Sequence, residues 1–285
     1  WVKHENHTPC GAFKVRGGLV YLDELVRREP DCPGIITATR GNHGQSIPFA
    51  ARAHGLSVKV LVPEGNSIEK NAAMRAWGAE VIVHGHDFEE ARLEAIRLGE
   101  AEELHIIGPF HEPLVRGVAT YALELFEAIS GLERVYVPIG MGSGICGLIT
   151  VRDLLGLDTE IIGVVSDSAP AYALSFDAGE VVQTNTCATF ADGVACRAPW
   201  AEPLAIIRQG AARIVRVTDA EVAEAMRIYY HDTHNVAEGA GAAPLAAALQ
   251  DRDVNAGAKI GVILCGGNVD TPIFAKVLAG ETPTV

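Results

Sequence analysis

The sequence predicts an α/β protein built on two open, twisted, mostly parallel sheets flanked by helices. Three observations predict it. Short β-branched runs alternate with Ala-rich stretches of helical spacing along most of the 285 residues. The strands read as near-continuous apolar runs, as strands covered on both faces do. The segments between them are long enough to hold a helix, which parallel strands need for their crossovers.

The elements follow in order. WVKHEN (1–6) reads as the middle of a strand, so residues before Trp1 are expected to be missing. TPCGAFKVRGG (8–18) reads as a Gly-rich loop that presents Lys14. GIITAT (34–39) is a strand leading into a helix through QSIPFAARAHG, and VKVLVPEG (58–65) leads into IEKNAAMRAWG. AEVIVHG (79–85) leads into FEEARLEAIRLG, and LHIIGPF (104–110) into VRGVATYALELFEAI. RVYVPIG, EIIGVVS, ARIVRVT and KIGVILCGG are later strands, separated by longer connections that include the irregular 175–199. The expected organisation is a large cofactor-binding domain of residues 1–33 and 111–285 and a small, mobile substrate-loop domain of residues 34–110, with the active site in the cleft between the lobes. Ligands in such folds sit at the carboxyl ends of the strands.

Composition narrows the function. A net charge of −13 argues against nucleic acid and against anionic membrane surfaces, which call for clustered Lys and Arg. No apolar run approaches the roughly 20 residues that span a bilayer. The six cysteines form no C-x-x-C pair, so reduced thiols in a cytoplasmic setting are expected. None of the histidines has metal-ligand spacing.

Four loops carry chemistry. PIGMGSGICGL (138–148) follows an apolar strand and opens a helix; its glycines let the backbone approach a phosphate, and the helix dipole favours the anion. Gly142, Gly144 and Gly147 also fit a dinucleotide fingerprint, which leaves a nicotinamide-dependent oxidoreductase as a remote alternative. TATRGNHGQS (37–46) is a second strand-to-helix turn, where Asn42 and His43 can converge on a carboxylate. VILCGGNVD (262–270) ends a buried strand in Cys265, and the opening stretch with Lys14 is the fourth.

In this order and spacing the four resemble the fold-type II pyridoxal-phosphate enzymes, in particular the threonine/serine dehydratase and serine racemase branch. PCGAFKVRG resembles the family's lysine motif with Ala12 in place of a serine, TRGNHGQ its substrate loop, GMGSG its phosphate loop and CGGN its final S-G-G-N. FADGVA (190–195) and AEGAGAAPLAAAL (237–249) are weaker echoes. The resemblance runs from Trp1 to about Asp270 and implies a tryptophan synthase β-subunit-like fold with pyridoxal 5'-phosphate as cofactor. Lys14 would form the Schiff base, with Phe13 beside the ring. Asn42 would bond the ring hydroxyl, and the amides of Gly140, Met141, Gly142, Ser143 and Gly144 would hold the phosphate. Thr39, Asn42 and His43 would bind the substrate α-carboxylate. Cys265 would face the pyridine nitrogen, with Glu238 and Asp192 lining the site.

The implied activity is an ammonia-lyase that converts a β-hydroxy amino acid of the threonine or serine type to a 2-oxo acid and ammonia. A hydroxyaspartate ammonia-lyase and an amino-acid racemase of the same fold are the alternatives. Arg40 departs from the family: racemases of this branch place a serine acid/base there, and an arginine stays charged. It would instead read a polar or carboxylate tail on the substrate. After EIIGVVS only Asp167 is acidic, short of the oxygen ligands a Mg²⁺ or Ca²⁺ site needs, so no metal is expected there. The chain's end soon after CGGNVD leaves no regulatory domain expected, and a homodimer is the family's usual assembly.

Overall fold

A computed structural model describes residues 1–284. Its chain order is β1 (Val2–His4), α1 (Lys14–Arg28), β2 (Ile35–Ala38), α2 (Asn42–Ala51), β3 (Val58–Val62), α3 (Ile68–Ala76), β4 (Glu80–Val83), α4 (Phe88–Ala101), β5 (His105–Ile107) and α5 (Glu112–Ala128). It continues with β6 (Arg134–Pro138), α6 (Ser143–Leu154), β7 (Glu160–Ser166), α7 (Ala171–Ala178), α8 (Ala201–Gly210), β8 (Ala211–Val217), α9 (Asp219–Thr233), α10 (Gly239–Gln250), β9 (Ile260–Leu264) and α11 (Thr271–Leu278). The α/β class and the two parallel sheets are as the sequence predicts. No helix among the described residues is long and apolar enough to cross a membrane.

The chain forms two compact units, Thr8–Gly117 and Trp1–His7 with Val118–Val285. The first holds a parallel sheet ordered β4-β3-β2-β5. Alternate residues of its strands feed two apolar clusters. Ile35, Val58, Val60 and Val62 pack with Leu22, Leu25, Ile47 and Met74, while Ile36, Ala38 and Leu61 pack with Ala91 and Ala95 of α4. Covering both faces is what makes these strands unbroken apolar runs in the sequence. Chain order reverses at β2, which has β3 on one side and β5 on the other, so the turn after β2 lies at a topological switch point.

The second unit holds a parallel sheet ordered β1-β9-β6-β7-β8. Here β6 is the switch point, between β7 and β9. The loops after β6 and β9 therefore leave neighbouring strands at the same edge, which is where open α/β sheets take ligands.

Two expectations need adjustment. Lys14 is not in a loop: it is the first residue of α1, a helix whose buried stripe includes Val15, Leu22 and Leu25. The compact units also divide at His7/Thr8 and Gly117/Val118, rather than at 33/34 and 110/111. The cause of the boundary at His7/Thr8 is α1, whose Tyr21, Leu22 and Leu25 are part of the core around β2 and β3.

Candidate active site

In the Thr8–Gly117 unit, α1 starts after its N-cap Phe13, which leaves Lys14 half-buried at the N-terminus of the helix. This is the end of a helix that least favours a positive charge. The Lys14 Nζ lies 5.0 Å from the centroid of the Phe13 ring. Ala12 is fully buried, and the Thr8 hydroxyl brackets it, accepting from the Ala12 N–H at 2.9 Å and donating to its carbonyl at 2.8 Å. A serine hydroxyl at this position would have to be buried as well.

Helix α1 packs on α2, whose N-terminal turn carries the other residues that the sequence singles out. Thr39 shapes this turn: its Oγ1 accepts from the Gly41 N–H at 2.9 Å and the Gly44 N–H at 3.2 Å. Asn42 is the first residue of α2, whose N-cap Gly41 has no side chain to offer, so the Thr39 hydroxyl caps the helix through the Gly44 N–H. His43 is buried, its Nε2 is without a hydrogen-bond partner, and the Nε of Arg40 is in the same condition. Burial pushes the His43 imidazole down to about 3, and the charges of Lys14 and His111 act in the same direction. His43 is thus a neutral ring close enough to Lys14 to feel its charge.

Three features of this unit escape sequence reasoning. The Nε2 of Gln45 is another buried nitrogen without a partner. Lys70 of α3 is buried and lies against Gly41 of the turn. Tyr21 Oη is 2.9 Å from His105 Nε2, and His105 Nδ1 is 2.9 Å from Glu29 Oε2, a half-buried chain of polar groups beneath His111. Sequence gives no sign of these, because the packing of α1, α3 and β5 creates them.

In the larger unit, the loop 140–144 joins β6 to α6. A Cβ on Gly140 would come within 2.3 Å of the Gly193 carbonyl oxygen, and Gly142 has φ +97 and caps α6 without a side-chain bond. Two buried tyrosines brace the loop: Tyr121 Oη donates to the Gly144 carbonyl at 2.8 Å and Tyr172 Oη to the Met141 carbonyl at 3.3 Å. The N-cap of α6 is thus a glycine without a side chain, and a helix N-terminus of this kind suits an anion. Gly147 is explained by packing, since a Cβ there would press on Ala119 at 3.1 Å.

Asp192 starts a short turn over 192–194, whose Gly193 carbonyl is the one that crowds Gly140. Cys265 is buried at the end of β9, and its Sγ is 4.0 Å from Glu238 Oε1. The Glu238 N–H donates to the Gly266 carbonyl at 3.1 Å, joining the start of α10 to this loop. The structure therefore brings Gly140–Gly144, Asp192, Glu238 and Cys265 together in one unit, and Lys14, Thr39, Arg40, Asn42 and His43 together in the other. Among the described residues no group of three or more His, Cys, Asp or Glu is arranged to hold a metal ion.

The family model described as "Pyridoxal-phosphate dependent enzyme" matches residues 1–266. The chain belongs to this family. Pyridoxal phosphate is accordingly its cofactor, and the remote nicotinamide alternative loses its ground. An L-threonine ammonia-lyase of Geobacter sulfurreducens is 36% identical over 98% of this chain and 69% of its own. The processed form of threonine deaminase isoform 2 from Solanum lycopersicum superimposes with a TM-score of 0.91 at 30% identity, over 98% of this chain and 82% of that one. A pyridoxal 5'-phosphate-dependent aspartate racemase superimposes with a TM-score of 0.90 at 28% identity, over 95% of this chain and 84% of that one.

The residues present fit the cofactor. A glycine loop leading into the N-terminus of α6, whose N-cap Gly142 has no side chain, suits a phosphate. An amine at the head of α1 suits an aldehyde, and buried nitrogens without partners on the turn after β2 suit an anionic substrate.

Proposed function

We propose that this chain is an ammonia-lyase that converts a β-hydroxy amino acid, of the threonine or serine type, to a 2-oxo acid and ammonia by α,β-elimination. The observation that carries this is the amine of Lys14 at the head of α1, close to a neutral, buried His43 in the first turn of α2. The ammonia-lyase name of a 36% identical relative supports the same chemistry.

Pyridoxal phosphate, when bound, supplies an electron sink for charge that develops at Cα. The chain's residues do the rest. Backbone N–H groups of Gly140–Gly144 hold the phosphate, and Asn42 and Phe13 fix the ring. The amides that open α2, with Thr39, Asn42 and His43, bind the α-carboxylate. Lys14 Nζ removes the Cα proton as general base. The β-hydroxyl then leaves as water, with its electron pair and the proton that Lys14 took from Cα, and the enamine that is set free adds water to give the 2-oxo acid and ammonia.

Two residues favour elimination over racemisation. Cys265, assigned to the pyridine nitrogen, is a thiol where a carboxylate would sustain a longer-lived charge at Cα. Arg40 stands where a second acid/base would be needed, and a guanidinium does not release its proton at ordinary pH. The cytoplasm and a homodimer are the setting we assign, and a single-chain mass by light scattering would contradict the dimer.

The test is a panel of threonine, serine, 3-hydroxyaspartate and bulkier β-hydroxy amino acids, scored for 2-oxo acid, ammonia and inverted amino acid. Equal amounts of 2-oxo acid and ammonia from at least one are expected. Inverted amino acid without ammonia would replace the lyase with a racemase.

A further inference from the structure

The turn after β2 carries more positive charge and more donors than one α-carboxylate can use. The N-terminus of α2, with Thr39 and Asn42, already provides for one carboxylate. Beyond them, Arg40 extends from the same turn with its Nε buried and without a hydrogen-bond partner, and among the described residues it makes no ion pair. His43 and Gln45 are only 7% and 3% exposed, and each keeps an Nε2 without a partner. Buried polar nitrogens left this way are costly unless a ligand completes them.

A second cation comes from another element. Lys70 of α3 is 5% exposed, and its stem fills the space where Gly41 lacks a side chain. A Cβ on Gly41 would lie 2.5 Å from Lys70 Cδ and 3.3 Å from its Nζ. Gly41 therefore lets an ammonium reach the middle of the turn. Burying a lysine there adds positive charge beside Gly41 in a low-dielectric setting.

We infer that the substrate is a β-hydroxy amino acid whose side chain ends in a second carboxylate, held by Arg40 with Lys70 reinforcing the field. This rests on the ammonia-lyase assignment above and adds its substrate class. Of the members of that class, 3-hydroxyaspartate is the smallest. A guanidinium suits the task because its planar fork pairs both oxygens of a carboxylate, which a lysine's point charge does not.

The test uses the holoenzyme and kcat/KM for 3-hydroxyaspartate, as each diastereomer, against L-threonine. Wild type should favour a hydroxyaspartate by about tenfold or more. Arg40→Ala should lose about 100-fold on the dicarboxylate and at least tenfold less on threonine, as expected for a charge-assisted pair. Arg40→Lys, which keeps the charge and loses the fork, should fall between. Titration calorimetry supplies a readout independent of turnover, and of Arg40→Ala assembling an active site: Arg40→Ala should weaken succinate roughly tenfold more than butyrate.

Equal losses on the two substrates, equal weakening of succinate and butyrate, or a wild-type preference for threonine would overturn the inference. Release of 2-oxo acid from threonine but not from hydroxyaspartate would sink it and leave the lyase assignment standing. Release from neither, nor from any other β-hydroxy amino acid, would remove both.

Discussion

Lys14→Ala is expected to lower kcat/KM by about four orders of magnitude or more, because it removes the one side chain assigned both to hold the cofactor and to move the Cα proton. The visible absorbance of the purified holoenzyme should disappear with it. Alanine is a good helix former, so α1 keeps its start and the fold should survive, which circular dichroism would check. Lys70 is the other amine near the turn, and it enters from α3 rather than from the head of α1. It is not placed to take over, so residual turnover should not exceed a trace. A fully active Lys14→Ala enzyme would remove Lys14 from the chemistry.

Acid should weaken the fold through His43. Its imidazole titrates near 6.5 when exposed and is pushed down to about 3 here. Between those values the unfolded chain binds the extra proton and the folded one does not, so this contribution is complete above about 6.5 and shrinks as pH falls. The loss amounts to roughly 1 kcal/mol from pH ~7.5 to ~5.5 and roughly 3 kcal/mol by pH ~4.5. Urea unfolding of wild type and His43→Asn across this range, at constant cofactor, isolates the effect. The difference between the two curves should grow toward wild-type disadvantage at low pH, and parallel curves would show that His43 is not buried neutral.

Much of the fold is legible in the sequence because its physical cause is local. Strands covered on both faces, such as Ile35–Ala38 and Ile260–Leu264, are unbroken apolar runs that no amphipathic pattern imitates. The turns after β2, β6 and β9 are legible because their glycines mark close approach of one chain segment to another: a Cβ on Gly41, Gly140 or Gly267 would press on Lys70, Gly193 or Val236.

Residues 14–28 mislead for a specific reason. Gly17 and Gly18 suggest a loop, yet both are buried in α1. A Cβ on Gly18 would come within 2.7 Å of the Ser46 carbonyl oxygen, so α1 trades helix propensity for close packing on α2. Lys70 and Gln45 are illegible because their burial depends on how α3 and α2 pack. In the sequence Lys70 is one polar residue in IEKNAAMRA, with nothing to separate it from a solvated helix face.

The assignment of Lys14 is tested most directly by trapping the cofactor on the chain. Borohydride reduction of the holoenzyme, followed by proteolysis and peptide mass mapping, should place one cofactor-derived mass increment on the peptide that contains Lys14. An increment on the Lys70 peptide, or on none, would contradict the assignment and the mechanism built on it.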